Sequence, residues 1–226
     1  PGPLVLSFHG GPEAQERPSF RADYQALVAA GISVLAPNVR GSSGFGKRFV
    51  HLDDGPLRKA AVEDIAATVD FAVTAGIADP RRIGITGGSY GGYMTAAGLA
   101  EYPGLFAAGA TLYGIVNFAT FFRQTEPWMA AISRAEYGDP DTQAALLAAL
   151  SPAPTILGPT QIASTVTLES SVMELVSTIL TDTTSSQRVI VTLGPAPIFI
   201  GEDLLTPYQV GDNETNYNTI VDYTLY

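Results

Sequence analysis

The sequence predicts an α/β fold, a mainly parallel sheet with helices on both faces. Short apolar runs alternate with segments of helical periodicity. The runs are continuously apolar, as parallel strands buried on both faces must be. A serine bracketed by glycines, Gly87-Gly88-Ser89-Tyr90-Gly91, stands where one such run gives way to a helix.

The elements follow in order. Leu4 to Phe8 reads as a buried strand that ends in the loop Gly10-Gly11-Pro12. Phe20, Tyr24, Leu27 and Val28 recur at helical spacing, with Gly31 as a stop. Ile32 to Ala36 is a second strand, closed by Pro37. Val62, Ile65, Val69, Ala72 and Val73 share a helical face, and Gly76 follows it. Arg82 to Thr86 is a third strand, Gly91 to Ala100 a helix of small residues, and Ala107 to Leu112 a fourth strand.

Bulk properties narrow the function classes. The 226 residues carry a formal charge of −10, which disfavours nucleic acid and anionic membranes as partners. Cysteine is absent, and the two histidines, His9 and His51, are too few for a His-rich metal site. The expectation is therefore no metal and no cofactor. Neither a leader nor an apolar stretch of the ~18 residues that spans a bilayer is visible, which favours a cytoplasmic location. The chain opens at Pro1, abruptly before a strand, and reads as a piece of a longer protein.

Composition divides the chain near residue 153. Residues 1–153 hold 28 alanines and 11 basic residues against 14 acidic ones. Residues 154–226 hold 2 alanines, 13 threonines and one basic residue against eight acidic ones. The expectation is a first unit, 1–153, followed by an acidic, Thr/Val/Ile-rich segment, 154–226, that is β-rich or irregular. Strand-like runs there are Arg188 to Leu193, Ala196 to Ile200 and Thr219 to Tyr226.

Gly87-Gly88-Ser89-Tyr90-Gly91 fits G-x-S-x-G, the nucleophile elbow of α/β-hydrolases. A sharp strand-to-helix turn holds the serine exposed, and the glycines relieve collisions with neighbouring backbone. The following helix points its N-terminal N–H groups at the same place, where negative charge develops in acyl transfer. His9-Gly10-Gly11-Pro12 ends an earlier strand, and its glycines let backbone N–H groups approach a ligand oxygen. Tyr90 N–H with Gly10 or Gly11 N–H would make the oxyanion hole. His9 then organises the loop and is not the catalytic base.

Several ordered strings extend this pattern. They are Asn38-Val39-Arg40-Gly41-Ser42-Ser43-Gly44-Phe45-Gly46, Glu63-Asp64-Ile65, Asp79-Pro80-Arg81-Arg82-Ile83, Gly87 to Met94, Tyr137-Gly138-Asp139-Pro140 and Ser151-Pro152. With His9-Gly10-Gly11-Pro12 they resemble the catalytic domain of the prolyl oligopeptidase family, nearest its acylaminoacyl-peptidase and dipeptidyl-peptidase-like branch. The resemblance covers about two thirds of the chain, residues 1–153. It implies a truncated α/β-hydrolase fold, Ser89 as nucleophile, Tyr90 as an oxyanion donor, and hydrolysis of a peptide or small acyl substrate through an acyl-enzyme. Members usually carry a β-propeller before this domain. The family also places an Asp and then a His downstream of the serine. Pro197 to Asp203 faintly resembles the strand and loop that present the acid, which makes Asp203 a candidate beside a plain solvated loop residue. No histidine follows His51, so the base is unassigned. Two other readings stand beside the peptidase: a carboxylesterase-like hydrolase, and a non-catalytic or chimeric chain that keeps the half-sheet as scaffold.

Other residues have plainer expectations. Arg40 shapes a loop near the site, and Glu63 and Asp64 head a helix, where its dipole explains them. His51-Leu52-Asp53-Asp54 reads as a solvated loop. Tyr113, Phe118, Phe121, Phe122 and Trp128 line a substrate pocket or pack in the core.

Overall fold

The computed structural model describes residues 1–152 and the backbone of three later strands, Ala163–Thr165, Val189–Leu193 and Asp222–Thr224. Asp203 and the run Ala196 to Ile200 lie outside the described residues, as does most of the run Thr219 to Tyr226.

Five strands form one sheet in the order β2-β1-β3-β4-β6, every neighbouring pair parallel. They are β1 (Gly2–Phe8), β2 (Ser33–Leu35), β3 (Ala78–Gly88), β4 (Ala108–Leu112) and β6 (Val189–Leu193). A separate antiparallel pair joins β5 (Ala163–Thr165) to β7 (Asp222–Thr224). The helices are α1 (Ala22–Ala29), α2 (Lys47–Val50), α3 (Arg58–Thr74), α4 (Tyr90–Glu101), α5 (Phe118–Gln124), α6 (Pro127–Tyr137) and α7 (Ala144–Leu150). The α/β class with a parallel sheet is as the sequence predicts. β6 pairs with β4 from Ala108↔Val189 to Leu112↔Leu193, so the composition break does not coincide with the edge of the sheet.

Alternation along β1 distributes the helices. Leu4, Leu6 and Phe8 point into the main core with Val62, Ile65 and Val69 of α3 and with Tyr93 and Met94 of α4. Ser7, of opposite parity, accepts a hydrogen bond from Tyr24 of α1 at 2.9 Å. Thus α1 covers one face of the sheet, and α3 and α4 cover the other. The expected face of α3 is buried through Val62, Ile65, Val69 and Ala72. That of α1 is not: Phe20 precedes the helix and is 82% exposed, Val28 is exposed, and only Leu27 of α1 is fully buried. This helix packs against a three-residue edge strand, which offers it little surface to cover.

The order of strands positions the site. From β1 the chain moves outward to β2, then returns to place β3 on the other side of β1. The strand order therefore reverses between β1 and β3. Ligands in open α/β sheets bind beyond the C-terminal strand ends at such a reversal, because the two loops leaving there diverge and open a crevice.

Candidate active site

Ser89 follows β3 and caps α4. Its backbone sits at φ 55° and ψ −118°, a region that costs a non-glycine residue on the order of 1–3 kcal/mol. The turn is held from both sides. Ser89 N–H donates to the Leu112 carbonyl at 2.9 Å, and Tyr93 N–H donates to the Ser89 carbonyl at 3.0 Å. Ser89 is exposed. Two glycines are sterically obligatory here. A Cβ on Gly91 would lie 1.9 Å from the Phe8 carbonyl oxygen, and one on Gly87 would lie 2.5 Å from that of Gly91. Gly88 differs, since a methyl there would meet nothing closer than 3.8 Å.

The first loop meets this elbow because β1 and β3 are adjacent and in register, Phe8 opposite Gly87. A methyl on Gly10 would sit 3.4 Å from Ser89 Cβ and 4.0 Å from its Oγ. His9 ties the loop down. Its Nδ1–H donates to the Gly10 carbonyl at 2.7 Å, and its Nε2 is hydrogen-bonded to Ser42 Oγ at 2.9 Å. The imidazole thus bridges two loops and is not hydrogen-bonded to Ser89.

A cavity of about 660 Å³ opens beside Ser89, Gly11 and Pro12. Its walls are largely apolar, with Tyr113, Ile115, Val116, Phe121, Met129 and Ile132, and it carries two acids, Glu13 and Glu136. Of the aromatic residues after β4, Tyr113 and Phe121 line it, while Phe118 is wholly buried in the core and Phe122 packs against that core. Trp128 is exposed. Tyr113 also has a positive φ, 49°, so two of the residues lining the cavity, Ser89 and Tyr113, have strained backbone.

Beneath the elbow lies a buried ionic cluster that the sequence did not reveal. Arg58, the first residue of α3, is wholly buried. It donates to Asp53 Oδ2 at 2.5 Å, to the Glu136 carboxylate, and to the Glu136 carbonyl at 3.0 Å. Its guanidinium lies 4.9 Å from the Tyr90 ring centroid and 4.7 Å from that of Tyr137. Tyr90 O–H donates to Asp53 Oδ2 at 3.2 Å. Burial, opposed by Arg58 and reinforced by Glu136, raises the Asp53 carboxyl to about 7. Burial also raises Glu136. Two carboxylates crowd one guanidinium, and burial makes the charged form of each less favourable, which is why both acids shift upward.

Two sequence expectations are corrected here. Asp53 is fully buried rather than solvated, because Arg58 draws it inward. Glu63 and Asp64 do not head the helix, since α3 begins at Arg58. Asp64 instead accepts from Arg40 N–H at 3.0 Å and from Arg40 Nε at 2.9 Å, which explains both residues as loop anchors. The unread signal was Arg58 itself: a cation in the first turn of a helix opposes the dipole, so a tertiary partner had to hold it there. Carboxylate oxygens of Asp53, Asp54 and Glu136 lie within 4.8 Å of one another, but the guanidinium already binds two of those groups. His51 pairs with Asp54 at 2.9 Å on the surface. Among the described residues no helix is long and apolar enough to cross a membrane.

Comparison with known proteins agrees with this geometry. The sequence profile of the prolyl oligopeptidase family matches residues 18–159. The chain is 37% identical over 147 residues to "Dipeptidyl aminopeptidase BIII" of Pseudoxanthomonas mexicana, covering 64% of this chain and 21% of that relative. It is 36% identical over 124 residues to "Acylamino-acid-releasing enzyme" of Arabidopsis thaliana, covering 55% of this chain and 16% of that relative. The chain therefore spans about a fifth of the length of these relatives. Among solved structures, the Pyrococcus horikoshii acylaminoacyl peptidase superposes with a TM-score of 0.61 at 29% identity, over 69% of this chain and 25% of its own. A strained, exposed serine at the reversal of a parallel sheet, with the sequence profile spanning it, means that this chain belongs to the prolyl oligopeptidase family.

Proposed function

We infer that the chain carries the acyl-transfer site of a serine peptidase, with Ser89 as nucleophile. The observation that supports it is the Ser89 backbone: strain of this kind is held by two hydrogen bonds and two obligatory glycines, at an exposed position facing a large cavity. In this reading Ser89 Oγ attacks the substrate carbonyl, and the carbonyl oxygen becomes an oxyanion. Tyr90 N–H, at the start of α4, and Gly10 or Gly11 N–H stabilise it. Collapse expels the amine and leaves an acyl-serine, which water hydrolyses. The largely apolar cavity beside Ser89 suits a large apolar residue on the acyl side of a peptide. A formal charge of −10 fits such a substrate better than nucleic acid.

Proton transfer is the weak step. Both imidazoles of the sequence are engaged elsewhere, His9 with Gly10 and Ser42, His51 with Asp54. A serine hydroxyl without a base is a poor nucleophile, and losing the base in such a triad costs about 10⁶ in kcat. Asp203 is the acid proposed from the sequence. The test is release of p-nitrophenol from p-nitrophenyl acetate by this chain beside its Ser89→Ala and Asp203→Asn variants. Slow release that Ser89→Ala abolishes is the expected result. Release unchanged in Ser89→Ala would remove the serine reading.

A further inference from the structure

Tyr90 occupies two places at once. Its main-chain N–H begins α4 beside Ser89, while its side chain, 1% exposed, reaches down into the ionic cluster. There Arg58 lies against the ring face and Asp53 takes the phenolic hydrogen bond. Tyr93, one turn into α4, stacks on the same ring at 5.6 Å. On its other side Arg58 grips Glu136, at the end of α6, both by carboxylate and by carbonyl. Glu136 lines the cavity that holds Ser89. An unbroken set of contacts therefore runs from the cavity wall, through one guanidinium, to the residue next to the nucleophile.

This arrangement is poorly explained by stability alone. Buried ion pairs are often no better than well-packed apolar groups of the same volume, since desolvation offsets the attraction. Here the compensation is also incomplete: among the described residues, Asp53 Oδ1 and Arg58 Nε are buried without a hydrogen-bond partner. What the cluster provides that apolar packing does not is direction. Charged hydrogen bonds are directional, and the one from Tyr90 O–H to Asp53, with Arg58 against the ring face, orients the ring of Tyr90.

We propose that Arg58 is a positioning residue for the oxyanion hole. With Asp53 it sets the Tyr90 ring, and so the Tyr90 N–H, in register with the Gly10-Gly11 loop; through Glu136 it ties that register to the cavity wall. The role rests on Ser89 being the nucleophile.

The test compares p-nitrophenyl acetate with its thiono analogue, in which sulfur replaces the carbonyl oxygen. Both release the same chromophore. A hole built for a small oxyanion favours the oxygen ester, because sulfur is larger and a weaker acceptor. The ratio of the two Ser89-dependent rates reports alignment of the donors, and a fall in the folded fraction cancels from it. Misaligning one donor typically lowers oxyanion stabilisation by ~10²-fold when the donor is lost outright, so an oxygen/sulfur ratio reduced roughly 10-fold is expected for Arg58→Met. Tyr90→Phe, which keeps the ring and the N–H but removes the bond to Asp53, should lower the ratio about 3-fold. If Arg58→Met does not fold, Tyr90→Phe decides alone. A parental ratio in folded Arg58→Met, or in Tyr90→Phe, overturns the positioning role while leaving the nucleophile intact. Release that does not depend on Ser89 in the parent chain overturns both, and the Ser89→Ala control separates the two failures.

Discussion

The elbow and the ionic cluster lie one above the other yet are built in opposite ways. The elbow comes from five consecutive residues, and its demands are steric and local: a sharp turn, a serine at φ 55°, and glycines where Phe8 and Gly91 carbonyls press close. The cluster comes from Asp53, Arg58, Tyr90 and Glu136, which are up to 78 positions apart among its hydrogen-bonded pairs, and its demands are electrostatic. The first tolerates no added atom at Gly87 or Gly91. The second tolerates no lost charge.

Substitutions sharpen this contrast. Gly91→Ala should have the largest effect, because the new methyl would meet rigid backbone at 1.9 Å and no side chain can swing aside. A loss on the order of 5 kcal/mol, or failure to fold, is expected in urea denaturation. Near-parental stability would mean that the elbow is looser than its geometry implies. Arg58→Met comes next. It leaves the buried Asp53 and part-buried Glu136 carboxylates without their shared cation, and breaking a buried pair in this way costs about 3–5 kcal/mol. A cost below ~1 kcal/mol would show that the carboxylates reach solvent.

A smaller effect is expected from pH. The Asp53 carboxyl is ordinary in the unfolded chain and raised to about 7 in the folded one, so the native state binds its proton more tightly. Its contribution to stability is complete below about pH 4 and is lost as pH rises through about 7. Glu136 acts in the same direction. Asp53→Asn should therefore flatten the fall in stability between about pH 4 and 7, measured as Tm against pH for both chains. Parallel curves would contradict the assignment.

Ser89→Gly should stabilise the fold by about 1 kcal/mol, since glycine adopts φ 55° without strain, while removing the proposed nucleophile. Gly88→Ala should be nearly silent, within about 0.5 kcal/mol, because its methyl meets neighbours no closer than 3.8 Å, an ordinary contact distance. A large cost for Gly88→Ala would show that the middle of the elbow moves during folding or turnover. Gly91→Ala and Gly88→Ala together separate a glycine that the turn requires from one it merely contains.

Legibility in the sequence followed the same division. The strands were readable because parallel strands must be apolar on both faces, as Leu4 to Phe8 and Arg82 to Thr86 illustrate, although β3 runs longer, from Ala78 to Gly88. The buried face of α3 was readable from its period. That of α1 was not, since periodicity describes a helix and not the width of the strand beneath it. The pairing of Ser89 with Gly10 was expected from the two motifs, but the reason they meet is the strand order, in which β1 and β3 are neighbours at the reversal.

By itself, then, the sequence determined the fold class, the elbow and the family, because each depends on residues close together along the chain or on a repeating pattern. Only the tertiary structure decided that Asp53 is buried, that Arg58 bridges it to Glu136, and that Tyr90 links this pair to the serine. Charged side chains carry no mark of their partner in a single sequence. Where each one goes is settled by the desolvation it would suffer alone, and that is defined only when the chain has closed around it.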